Sequence, residues 1–83
     1  MISYKGGDGS TKQNAIVILG VKDEADGVDA EYNYLEDKYG KYELVSQELI
    51  DEGDKQYDVL RVELLGGSRK EVWFNITEFY GRE

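Results

Sequence analysis

Two alternating segments, residues 57–64 and 71–79, flank Leu65-Gly66-Gly67-Ser68, and this constrains the fold more than any other feature of the chain. Side chains of a strand point to opposite faces with period two. Leu60, Val62 and Leu64 therefore share one face of the first segment, with Asp58 the exception on that face. In the second, Val72, Phe74 and Ile76 share a face, and Trp73, Asn75, Thr77 and Phe79 take the other. Paired glycines supply the positive φ that a tight hairpin needs, so the two segments are expected to pair antiparallel. Residues 42–49 begin as a third alternating strand (Tyr42, Leu44). The pattern blurs at Val45-Ser46-Gln47, as it does where a β-bulge inserts one extra residue. The polar turn 51–55 links this strand to the next, which predicts a three-stranded meander.

Residues 23–39 carry the helix signal. Val28, Tyr32, Leu35 and Tyr39 recur at spacings of four, three and four, with Ala25 extending the stripe. Asp23, Glu24, Asp26 and Asp29 crowd the positive end of the helix dipole, Lys38 sits near its negative end, and Gly40 is placed to terminate it. Gly27 conflicts with this pattern. A glycine inside a helix costs roughly 1 kcal/mol against alanine, so the helix is expected to begin at Asp26 or to kink there. Residues 15–19, Ala-Ile-Val-Ile-Leu, read as a short buried strand of the same sheet. The expected fold is thus a single domain over residues 1–83, of α+β class, with one main helix packed on a small, mostly antiparallel sheet of three to four strands.

Before that buried strand lies Gly6-Gly7-Asp8-Gly9-Ser10, three glycines in four positions, followed by Thr11-Lys12-Gln13-Asn14. Ser10 or Thr11 is placed to cap one helical turn there. A P-loop would need its second glycine at Thr11 or Lys12, and a dinucleotide fingerprint would need one at Lys12; neither is present. What stays open is a looser anion nest of backbone amides with Lys5, Gly6, Gly7, Gly9, Ser10 and Lys12. The alternative is a purely geometric turn.

The chain has no cysteine and no histidine. Disulfides, thiolate zinc sites and histidine-dependent hydrolytic or metal chemistry are excluded as activities of this chain alone. The acids of residues 23–29 lack the ligand spacing of an EF-hand, and helix-start electrostatics accounts for them, so no metal is expected. The 18 acidic residues allow many carboxylate pairings, but spacing singles out none, and 83 residues leave little room for a deep cleft. Neither catalytic residues nor a cofactor is expected. No apolar run approaches the length of a membrane span, and Met-Ile-Ser-Tyr-Lys lacks the apolar core of a signal peptide. A cytoplasmic location without membrane association is the expectation.

Charge is unevenly distributed. Residues 23–63 hold fourteen acids against Lys38, Lys41, Lys55 and Arg61, a net of −10 within a total of −8. Nucleic-acid binding needs the reverse. Ten aromatic residues are many for this length, and Tyr57, Trp73, Asn75 and Phe79 are expected to share the sheet face opposite Leu60 and Phe74 as an interaction surface.

The motifs Gly6-Gly7-Asp8-Gly9-Ser10, Asn14-Ala15-Ile16, Ala30-Glu31-Tyr32-x-Tyr34-Leu35, Gln47-x-Leu49, Tyr57-Asp58-Val59 and Phe74-Asn75-Ile76-x-x-Phe79-Tyr80-Gly81 resemble a family of small uncharacterised bacterial domains. The resemblance spans nearly the whole chain and implies a free-standing α+β domain. It brings no activity, ligand or catalytic residue with it, and Asn75 stands where an acid is expected. The leading functional expectation is a non-enzymatic interaction module with a protein partner, or a homodimer through an exposed strand edge or the Trp73 face. The alternatives are an acidic inhibitor or immunity-type protein covering a basic partner, and a weak anion binder using the glycine loop.

Overall fold

A computed structural model of the chain describes residues 1–81, arranged as β1 (Ser3–Gly6), β2 (Ile16–Leu19), α1 (Glu24–Tyr39), β3 (Tyr42–Asp51), β4 (Gln56–Leu64) and β5 (Arg69–Asn75). The sheet order is β1-β2-β5-β4-β3. The meander β3-β4-β5 is antiparallel throughout, as is β1 with β2, whereas β2 and β5 pair in parallel through Ile16–Phe74 and Val17–Asn75. These pairings make β3 parallel to β2, so α1 is a crossover connection that spans β5 and β4 on one face of the sheet.

The class is α+β as expected, but the sheet is mixed and has five strands rather than three or four. The extra strand is β1. Its residues Ser-Tyr-Lys-Gly are all exposed and carry no apolar alternation, so only backbone pairing with β2 defines it. Tyr4 ties it to the helix: its hydroxyl donates to the Ala30 carbonyl (2.8 Å) and its ring meets Tyr34, which in turn stands edge-on to Phe74.

The core lies between the helix and the sheet. Ile16, Ile18, Leu60, Val62, Val72 and Phe74 point up from the sheet, and Ala30 and Leu35 point down from the helix. Each fully buried aliphatic or aromatic side chain contributes roughly 2 kcal/mol. The buried helix positions are Gly27, Ala30, Glu31 and Leu35. Val28, Tyr32 and Tyr39 of the expected stripe lie half-buried along its flank, where a phenol can keep its hydroxyl in water. The helix begins at Glu24, with the Asp23 side chain accepting from the Asp26 amide (2.8 Å), and Gly40 closes it at φ 74°.

Gly27 lies inside this helix because of Phe79, whose ring occupies the space a Cβ would need. Phe79 is therefore a core residue, 1% exposed, and does not lie on the Trp73 face. The alternation fails because β5 stops at Asn75. The Asn75 Oδ1 accepts from both the amide and the hydroxyl of Thr77, and the Phe79 and Tyr80 amides then bond back to the Ile76 carbonyl. Turn bonds replace ladder bonds there, and period two ceases to apply.

The bulge falls at Val45, where the register with β4 shifts between Leu44 and Ser46. Leu44 opposes Val62 on the helix side; beyond the bulge Gln47 opposes Leu60 and Leu49 opposes Asp58 on that same side. The extra residue lets apolar and polar positions of odd and even number share one face.

Candidate functional site

The glycine loop folds as a self-satisfied turn. Gly6 and Gly9 take positive φ (88° and 83°), and a side chain at Gly7 would meet the Asn14 backbone. The Gly7 amide donates to the Ala15 carbonyl, the Gly9 amide to Asn14 (2.7 Å), and the Ser10 amide to the Asp8 carboxylate (3.0 Å). The hydroxyl and then the amide of Ser10 hold the Asp8 carboxyl below its usual range. Thr11 caps the following turn through the Asn14 amide, and Lys12 is bound to Glu52 (2.8 Å). The Gly9 carbonyl accepts from the Trp73 amide (2.7 Å) and continues the sheet beyond the start of β2. An anion nest needs unspent amides, and those of Gly7, Gly9 and Ser10 are consumed within the loop. Lys5 is exposed on the edge strand β1.

On the sheet face away from the helix, Tyr57 and Trp73 meet edge to face (6.0 Å) over the fully buried Val59. Arg61 bridges Glu48 and Glu71, and the Trp73 Nε1 donates to Glu71. The face is thus largely closed by its own side chains, with Tyr57 buried and Trp73 and Asn75 partly exposed. The residue 11–14 turn reaches over one end through the Lys12–Glu52 pair. A cavity of about 300 Å³ lies there, between Lys12, Gln13, Lys55, Tyr57 and Asn75.

Beneath the helix lies a polar pair. Glu31 is 1% exposed and Asp58 is 5% exposed. Burial, then a hydrogen bond with Asp58, then the negative charge of Asp58 push the Glu31 carboxyl up to about 10. It is protonated at neutral pH and donates to Asp58. Asp58 also accepts from the Gln47 Nε2 of β3 (2.9 Å), while Glu31 Oε1 has no partner among the described residues. Asp58 breaks the apolar alternation of its strand, and that was the sequence signal for this site; Glu31, inside a helix rich in acids, carried none. Among the described residues, no three acidic side chains converge as a metal would require.

The fourth region is the β3 side of the molecule. Among the described residues β3 pairs only with β4, and most of its ten residues are exposed, including Leu44, Val45 and Leu49. It carries Glu43, Glu48 and Asp51 and no basic residue. Glu43 lies directly opposite Glu63, a like-charge pair that is unfavourable in a sheet. At this end an open groove of about 1090 Å³ runs between α1 and the β4–β5 hairpin, lined by Glu36, Lys41, Tyr42, Glu43, Glu63 and Leu65. Leu65 is 85% exposed. Sequence reasoning did not place this site, because neither groove nor edge exists until the strand order is known. The acidic excess of residues 23–63 and the expectation of an exposed strand edge were its traces in the sequence.

Searches against protein-family models, curated proteins and solved structures return no match to the chain. The site must be read from its own chemistry.

Proposed function

We propose that this protein is a small non-enzymatic interaction module that binds a basic protein segment at the β3 side of its sheet. The observation that carries this reading is the groove where Glu36 and Glu43, neither in an ion pair among the described residues, lie with Lys41, Glu63 and the exposed Leu65; Glu63 is held by Arg69 (3.1 Å). Three carboxylates around an apolar rim suit a lysine- or arginine-bearing chain, because the charges steer encounter and the apolar surface adds contact energy. A cation placed there would pair with Glu43, which stands opposite the Arg69-bound Glu63. The reading joins the interaction-module and acidic-inhibitor expectations in one surface.

Selection from a random-peptide display library at low ionic strength tests it. Enriched peptides should be rich in Lys and Arg, and their binding should weaken as salt rises. Reversing Glu43 and Glu63 together to lysine should abolish it. Enrichment of neutral or acidic peptides, or binding that ignores both salt and charge reversal, overturns the proposal.

A further inference from the structure

The direction of the β3 backbone narrows how such a segment would bind. Antiparallel ladders alternate between residues that bond their partner strand and residues whose N–H and C=O point away from it. The Glu52 amide bonds the Lys55 carbonyl at the β3–β4 turn, and the register then runs without interruption to Ser46–Arg61. Ile50, Glu48 and Ser46 therefore face β4. The backbone groups of Asp51, Leu49 and Gln47 face the open side. Bonds from β4 to its other neighbour agree with this phase, since Ile76 donates to Gln56 and Leu64 to Ser68, both even positions of β4.

Side chains on the two faces of β3 differ in kind. On the helix side lie Leu44 and Leu49, 42% and 50% exposed. On the other side lie Glu43 and Glu48. Gln47 and Asp51 share the helix side and Ser46 and Ile50 the other, where Glu48 is paired with Arg61; a strand added at the edge would meet both leucines on one face and Glu43 and Glu48 on the other. A second copy paired β3 to β3 fits poorly, because its β3 would bring further acids and no basic residue against Glu43, Glu48 and Asp51.

We infer that the basic partner binds β3 by strand addition, as an extended segment in which apolar and basic residues alternate. Its backbone pairs with Gln47, Leu49 and Asp51, its apolar side chains cover Leu44 and Leu49, and its cations lie along Glu43 and Glu48. This rests on the proposed basic-partner reading and specifies its geometry.

The test uses the whole chain with the tightest-binding peptide from the display selection. Amide hydrogen exchange by NMR should slow at Gln47, Leu49 and Asp51 on binding, while Ser46, Glu48 and Ile50, already bonded to β4, change little. The enriched sequences should alternate apolar with basic residues. Leu49→Pro removes an outward donor without breaking a ladder bond and should weaken binding at least about tenfold, the loss expected from one or two backbone hydrogen bonds. Leu49→Ala should retain most of the affinity. If Leu49→Pro fails to fold, the exchange pattern decides alone. Failure to select any basic peptide overturns the underlying function. Binding of a basic peptide that leaves the three outward amides unchanged overturns strand addition and spares that function. Concentration-dependent protection of the same amides without peptide would assign the edge to a second copy and overturn the inference.

Discussion

Glu31 shows how one residue sets the pH response of a fold. Its carboxyl titrates near 4.5 when solvated and near 10 in the native state, chiefly because burial penalises the charged form. Across that interval the folded chain holds a proton that the unfolded chain has released. The contribution of Glu31 is therefore most favourable below about pH 4.5 and declines as pH rises toward 10. The decline by pH 7 is of order 3 kcal/mol, at about 1.4 kcal/mol per pH unit. Glu31→Gln keeps a neutral donor for Asp58 and removes the titration. Denaturant midpoints for the two proteins should nearly agree at pH 5, and at pH 8 the variant should be more stable by roughly 4 kcal/mol. Equal differences at both pH values would mean that Glu31 is not held protonated by the fold. Asp8 and Asp51 act in the opposite sense, since hydrogen bonds lower their carboxyls, so their contributions fade as pH falls through the acid range. The two trends place greatest stability on the acid side of neutrality.

At the scale of elements, the helix illustrates what a sequence pattern conveys and what it hides. Its C-terminal end was legible, because Lys38 and Gly40 act through local backbone chemistry, whereas its start at Glu24 under the Asp23 cap lies ahead of the expected Asp26. Its buried face was not legible, because Gly27 and Glu31 belong to that face only through Phe79 and Asp58, residues far along the chain. Gly27→Ala sets two effects against each other. Helix propensity favours alanine by about 1 kcal/mol, but the new methyl meets the Phe79 ring, and overpacking typically costs 1–3 kcal/mol. A methyl there would overlap the ring, so the clash should win, with net destabilisation of up to about 2 kcal/mol by thermal or denaturant unfolding. Combining it with Phe79→Leu should cost less than the sum of the two changes, since a smaller side chain leaves room for the methyl. Strict additivity would show that Gly27 and Phe79 do not share that space. The hairpin and the bulge at Val45 were readable for the same reason as the helix end, since glycine pairs and broken alternation are local signals. The β1 strand and the parallel β2–β5 pairing were not, because nothing in Ser3–Gly6 or Ile16–Leu19 specifies which strand lies alongside.

For the molecule as a whole, the charge excess of residues 23–63 was visible in the sequence, but its effect depends on where the fold puts it. β3 and β4 both fall in that segment, so the sheet is acidic at one edge. The four ion pairs among the described residues, Lys12–Glu52, Arg61–Glu48, Arg61–Glu71 and Arg69–Glu63, are substantially exposed. Each is worth at most about 1 kcal/mol and is itself screened by salt. They compete with self-repulsion from a net charge of −8, which also weakens as salt shortens the Debye length. Repulsion should dominate, because carboxylates without a cation outnumber the paired ones on the β3 side. Raising sodium chloride from roughly 20 mM to 500 mM, a Debye length falling from about 20 Å to about 4 Å, should raise the thermal midpoint by a few degrees. The same salt should weaken capture of a basic peptide. Opposite responses in one buffer series would separate loss of binding from loss of structure. A midpoint that falls with salt would instead mean that the surface ion pairs outweigh the repulsion, and the β3 edge would then have little unbalanced charge to offer a cationic strand.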